Sequence, residues 1–274
     1  MPAPLYPTLA VGADRLEYRW IAGDPVRPTL VLLHEGLGCV ALWRDFPEQL
    51  AAATGCGVFL YSRLGYGGSH ARALPWPLDY MQQEGRVGLP RILDAAEIGD
   101  CVLIGHSDGA SIALVNAGVV RAPQVKGLVV IAPHVFTEEV GLFSIRAARE
   151  AYRNGNLRAR LVKYHGTNVD GAFSGWCDSW LHPDFAQWNI EAYLPHISVP
   201  VLQIQGTQDQ YGSAAQVTAI ARQVGGSVET HLLHACKHAP PFEQTEETLR
   251  LISDFVARLV SVHSNPSMSL SELW

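Results

Sequence analysis

The stretch Val102–Ser111, VLIGHSDGAS, leads an apolar run into a serine set between two glycines and then into small residues. The Gly-x-Ser-x-Gly pattern alone is weak, because a chain of this length and composition contains one by chance roughly one time in eight. Its flanks carry the reading. Cys101–Ile104 (CVLI) reads as a buried strand, and ASIALVNAGVV, which follows, suits a buried helix. Strand, sharp turn and helix in this order form the setting that a nucleophile elbow needs. The glycines have a steric reason: a turn this tight strains the serine backbone and leaves no room for a bulky side chain on either side. Ser107 then stands exposed at the carboxyl end of a sheet, and the helix N-terminus behind it favours developing negative charge.

Outward from this point, similar runs recur: Thr29–His34 (TLVLLH), Gly57–Ser62 (GVFLYS), Gly127–Pro133 (GLVVIAP) and Pro200–Gly206 (PVLQIQG). Each is nearly continuous in apolar residues, as strands buried on both faces are. Between them, LWRDFPEQLAAAT, GLPRILDAAEI and SAAQVTAIARQV have helical spacing. The alternation predicts an α/β fold, a mostly parallel central sheet with helices on both faces. RLEYRWIAG, near the start, is expected to add an antiparallel edge hairpin. The regular order breaks over residues 135–198, where the helix-like SIRAAREAYRNGNLRARLVKY precedes Trp176, Trp180 and Trp188. The expectation is a mainly helical cap inserted into a core made of residues 1–134 and 199–274; the plainer alternative is a helical elaboration that sinks its tryptophans into the core. The polar tail from Ser261 is expected to be frayed or partner-dependent.

Composition narrows the function. With 274 residues, 48% of them hydrophobic, the chain can bury one sizeable core. A formal net charge of -6 provides no basic face and argues against nucleic-acid binding. No signal-like N-terminus or long apolar span is evident, so a protein without a membrane segment is expected. Five scattered cysteines without a Cys-x-x-Cys pair fit reduced thiols, mostly buried, in a cytoplasmic protein.

A serine nucleophile needs an imidazole to take its proton and a carboxylate to orient that imidazole. In a fold of this kind they should follow in the order acid, then histidine, each after a later strand. GTQD places Asp209 just after PVLQIQG, whereas Asp170, Asp178 and Asp184 follow no strand. His238 lies in the loop beyond the strand ETHLLH, with His234 at the strand's end as second choice. The spacing of His231, His234, Cys236 and His238 does not supply a convincing zinc set, since strand positions alternate faces, so no metal is expected. His34, His106, His134 and His165 are read as structural histidines.

With these pieces the sequence resembles the α/β-hydrolase superfamily over nearly its whole length. HEGLG, SRLGYGGS, GHSDGA and the pair GTQD and CKHAPPFEQ carry the likeness. The resemblance implies a catalytic triad of Ser107, Asp209 and His238, with an oxyanion hole formed by the backbone N–H groups of Gly36 and Asp108. It implies no cofactor. Glu35 stands where a glycine is common and is expected to turn away from the oxyanion; the alternative is that it recognises a cationic or hydroxylated substrate. Ser62 stands where an aspartate is common, and Gly65 and Gly67 read as turn glycines. Phe143, Trp176, Trp180, Trp188 and Tyr211 suggest a pocket for an apolar or aromatic small molecule. The expected activity is hydrolysis of a carboxylic ester through an acyl-enzyme. The alternatives are hydrolytic carbon–carbon cleavage of a ring-fission diketone by the same triad, and a ligand receptor of this fold.

Overall fold

The structure, a computed structural model, describes residues 6–264. Eight strands, β1 (Thr8–Val11), β2 (Asp14–Ile21), β3 (Thr29–Leu33), β4 (Val58–Tyr61), β5 (Cys101–His106), β6 (Val125–Ile131), β7 (Val201–Gly206) and β8 (Val228–Leu233), form a sheet in the order β1-β2-β4-β3-β5-β6-β7-β8. The β1/β2 and β2/β4 pairs are antiparallel and all others are parallel. The expected antiparallel hairpin is present, but RLEYRWI is its inner strand, β2, and the edge is β1. The outer strands alternate between exposed and sheltered residues, whereas β4, β5 and β7 are buried at every position. This is the burial that the continuous apolar runs require.

Helices α1 (Phe46–Thr54), α2 (Tyr80–Gln83), α3 (Leu89–Ala95), α4 (Asp108–Val119), α5 (Glu139–Arg153), α6 (Leu157–His165), α7 (Val169–Trp180), α8 (Ala214–Gln223), α9 (Pro240–Glu243) and α10 (Thr245–Ser264) cover the sheet. The pleat sends successive side chains to opposite faces and so builds two cores. Leu33, Leu103 and Val130 pack with Leu114 of α4 and with the segment between β6 and β7; Leu32, Ile104 and Val129 pack with Leu50 of α1 and Phe255 of α10. Helix α4 is buried along almost its whole length, as a helix apolar on all sides must be. All five cysteines are buried and unpaired.

The segment between β6 and β7 is helical, with α5 and α6 separated near Gly155 where one continuous helix-like run was read. Its Trp176, Trp180 and Trp188 are buried in the same apolar cluster as the sheet, so the tryptophans fill core as well as flank the loops at the strand ends. Helix α10 runs through Ser264, so the start of the tail expected to be frayed or partner-dependent is helical; the rest of that tail lies outside the described residues. No helix among the described residues is long and apolar enough to cross a membrane.

Parallel register brings the carboxyl ends of the central strands to one edge. Leu33 pairs with Gly105, His106 with Ile131, Ile131 with Ile204, and Gly206 with Leu233. The loops that follow carry Gly36, Ser107, His134, Asp209 and His238. The edge beyond the carboxyl ends of the strands is where open α/β sheets place their ligands.

Candidate active site

Ser107 links β5 directly to α4 with φ 54° and ψ −118°, a conformation that non-glycine residues rarely adopt. Its N–H is held by the carbonyl of Ile131 at 2.9 Å, and its carbonyl accepts the N–H groups of Ala110 and Ser111. The flanking glycines are required by contact. A Cβ on Gly105 would lie 2.4 Å from the Gly109 carbonyl oxygen, and one on Gly109 would lie 2.0 Å from that of Leu33. The sequence supplied a turn that only glycines permit, and packing of α4 onto β3 and β5 keeps it bent.

Asp209 and His238 meet across the loops after β7 and β8. His238 Nδ1 lies 2.8 Å from both carboxylate oxygens of Asp209. The carboxylate also accepts N–H groups from Tyr211 and Gly212 and the Gln205 side-chain amide. Burial pushes the Asp209 carboxyl up, but the His238 hydrogen bond and the Tyr211 N–H outweigh it and hold the group below the usual carboxylate range. The two loops touch at Gly206, where a Cβ would lie 2.1 Å from the carbonyl oxygen of Lys237. Glu243 on α9 fixes the histidine loop: its carboxylate accepts the N–H groups of Lys237 and Ala239, the two neighbours of His238. With Nδ1 engaged by a carboxylate, His238 is oriented to use Nε2 as a base. Its ring lies 5.3 Å from that of His106, the residue before Ser107. Among the described residues, no hydrogen bond engages Ser107 Oγ or His238 Nε2. Of the rival residues, Asp170 is paired with Arg158 and Tyr152, and His231 with Glu229.

The loop after β3 is held from behind by Arg63. This buried guanidinium donates to the carbonyls of His34 and Glu35, and the Arg63 N–H donates to His34 Nε2. With both carbonyls drawn to Arg63, the loop is free to present the Gly36 N–H elsewhere. Neither the Gly36 nor the Asp108 N–H meets a protein acceptor among the described residues. The indole of Trp176 covers Gly36, where a Cβ would lie 2.2 Å from Trp176 Nε1. Glu35 is turned toward Gly38 and His106, its Oε2 lying 3.8 Å from His106 Nδ1.

The aromatic residues named from sequence divide into three groups. Trp176 borders Gly36, Trp180 stacks edge-on against His134 at 5.3 Å, and Tyr211 lies 4.7 Å from the His238 ring. Trp188 is one layer further out, stacked on Phe185 and donating to Gln82. Phe143 points to the surface at 70% exposure, because the buried face of α5 runs through Gly141 and Ile145, on the far side of the helix. The Asp108 side chain is buried, accepts a hydrogen bond from Tyr80, and has its carboxyl raised by burial against the pull of Arg63.

Several contributors were missed in the sequence. Arg63 and Glu243 act on backbone groups, which residue patterns do not reveal. His34 and His165 are hydrogen-bonded as structural histidines should be. His134 is not: no hydrogen bond engages its ring among the described residues. Burial and the neighbouring His238 push its pKa down to about 3, so it stands neutral beside the catalytic candidates. Its place just after β6 was the available signal.

A family model described as Alpha/beta hydrolase family matches residues 30–251, most of the chain and every strand of the parallel array. The chain belongs to the α/β hydrolase family. Among solved structures, this hydrolase is similar to VinJ, with 25% identity and a TM-score of 0.67 over 94% of this chain and 100% of that one. It is also similar to a carboxylesterase of the thaumarchaeon Nitrososphaera gargenis, with 20% identity and a TM-score of 0.72 over 93% and 99%. The CarC serine hydrolase involved in carbazole degradation shares 15% identity and a TM-score of 0.72 over 92% and 98%. The last two likenesses concern fold alone. No curated protein sequence matches the chain.

Proposed function

We propose that this α/β hydrolase cleaves a carboxylic ester of a small, apolar or aromatic molecule through an acyl-enzyme on Ser107. The observation that carries the reading is the His238–Asp209 pair at 2.8 Å, at the same edge of the sheet as a serine that a strained turn holds at a helix N-terminus. His238 Nε2 takes the Ser107 proton as Oγ attacks the ester carbonyl. The tetrahedral oxyanion is met by the N–H groups of Gly36 and Asp108, each such donor being worth about 3 to 4 kcal/mol in the transition state. Collapse expels the alcohol, which takes the proton from His238. Water, deprotonated by His238, then attacks the acyl-serine, and the carboxylic acid leaves as Ser107 recovers its proton. Trp176, Trp180 and Tyr211 border the reacting centre and favour an apolar acyl or alcohol group.

A fluorophosphonate should label Ser107 stoichiometrically, and Ser107→Ala should lower p-nitrophenyl ester turnover by several orders of magnitude. Absence of labelling on folded protein, or near-parent turnover by the variant, would sink the assignment. Strong preference for a vinylogous diketone over aryl esters would replace ester hydrolysis with carbon–carbon cleavage.

A further inference from the structure

His106 is buried at 2% exposure between the loop of Glu35 and the loop of His238. Its Nε2 lies 2.7 Å from the backbone carbonyl oxygen of His238. A carbonyl only accepts, so Nε2 carries a proton. The other nitrogen, Nδ1, is buried without a hydrogen bond and has the Glu35 carboxylate 3.8 Å away, a separation for an ion pair rather than a hydrogen bond. The ring thus donates at Nε2 and has a carboxylate at ion-pair distance from Nδ1, a placement whose charge favours a second proton on the ring. Glu35 is suited to be its counter-ion, because its carboxylate is folded back against Gly38, where a Cβ would lie 2.3 Å from Oε2, leaving the side chain 27% exposed.

We propose that Glu35 and His106 form a positioning pair for His238, in which the carboxylate holds His106 doubly protonated and its Nε2–H grips the His238 carbonyl. The pair ties the loop that bears Gly36 to the loop that bears the base. This inference rests on the reading of Ser107 and His238 given above. The titratable groups around His106 are Glu35 and His34 after β3, His134 after β6, Asp209 after β7 and His238 after β8; Trp43 packs across the ring at 6.4 Å. Burial disfavours the charged ring, but Glu35, the His238 carbonyl and Asp209 together outweigh it and raise the His106 pKa. The fixed His238 loop is a preorganised element, whose loosening lowers rate more than binding.

The test joins two readouts. Side-chain 15N NMR of the histidines, with the His106 signals identified by their loss in His106→Gln, should show an imidazolium at neutral pH in the parent and a singly protonated ring in Glu35→Gln. A neutral His106 in the parent overturns the proposal whether or not the protein is an esterase. Fluorophosphonate labelling of Ser107 and ester turnover give the second readout. Glu35→Gln should slow both about tenfold with KM unchanged. His106→Gln keeps an amide donor for the His238 carbonyl, so adding Glu35→Gln to it should cost little more. Unchanged rates in Glu35→Gln, a change confined to KM, or penalties that multiply in the double variant would each overturn the positioning role. A parent that is never labelled would instead count against the serine hydrolase reading.

Discussion

At the residue scale, Ser107 holds its strained backbone because its neighbours leave no alternative. The carbonyl of Leu33 occupies the space that a Cβ on Gly109 would need. Gly109→Ala is therefore expected to destabilise the fold by about 3 kcal/mol through overpacking, measured as a lower urea midpoint with an unchanged slope. Labelling of Ser107 should slow in whatever fraction remains folded, since the helix can relieve the clash only by moving off β3. The glycines and the serine were readable because their reason is local: three positions and a turn suffice to state it. Glu35 was readable only in part. Charge alone says only what its carboxylate should avoid, whereas the neighbour it meets, His106, is remote in the chain and comes near only through β3/β5 pairing. Phe143 misled because an aromatic residue in a helix says nothing of its face until the neighbours of that helix are known.

At the element scale, each candidate catalytic group lies just beyond the end of a strand and is held there by backbone contacts. The loop after β8 is the plainest case, since Glu243 binds the N–H on either side of His238. Glu243→Ala should reduce kcat about tenfold with little change in KM and cost about 1 to 2 kcal/mol of stability, from two lost charge-assisted hydrogen bonds near the surface. Steady-state kinetics with a chemical melt separates the two effects. The mostly parallel sheet and its helices on both faces followed from apolar runs and their punctuation; the order of the strands across the sheet did not, because it depends on which strands pair. The break between α5 and α6 and the helical extension of α10 did not, because helix ends depend on packing more than on composition.

At the scale of the whole molecule, burying histidines beside the candidate site makes stability depend on acid. His34 and His134 are both held below the ordinary histidine value, His134 at about 3, chiefly by burial. The unfolded chain takes up their protons as pH falls through about 6.5, and the folded chain does not, so stability is lost from there downward. His106, held above the ordinary value, works in the opposite sense: its contribution is full below about 6.5 and is lost as pH rises through its folded value. Between pH 6 and 4 the two neutral histidines should prevail, His134 removing about 1.4 kcal/mol per pH unit and His34 acting in the same direction. A melting temperature that falls over this interval, with a shallower fall in His134→Gln, is the expected result. A flat profile would show that these rings take up protons without unfolding.

The separation of Ser107 from His238 along the chain also has a consequence in time. At the usual pace of roughly 5 to 20 residues per second, the ribosome makes the serine about 7 to 26 seconds before the histidine that would activate it. The Ser107 N–H bond to Ile131 and the fit of Gly109 on Leu33 need only earlier-made chain, so the bend can form during that interval. A nascent chain halted before His238 would then carry a shaped but chemically quiet serine. Reactivity would arrive late and all at once, when almost everything that must shelter it has already been synthesised.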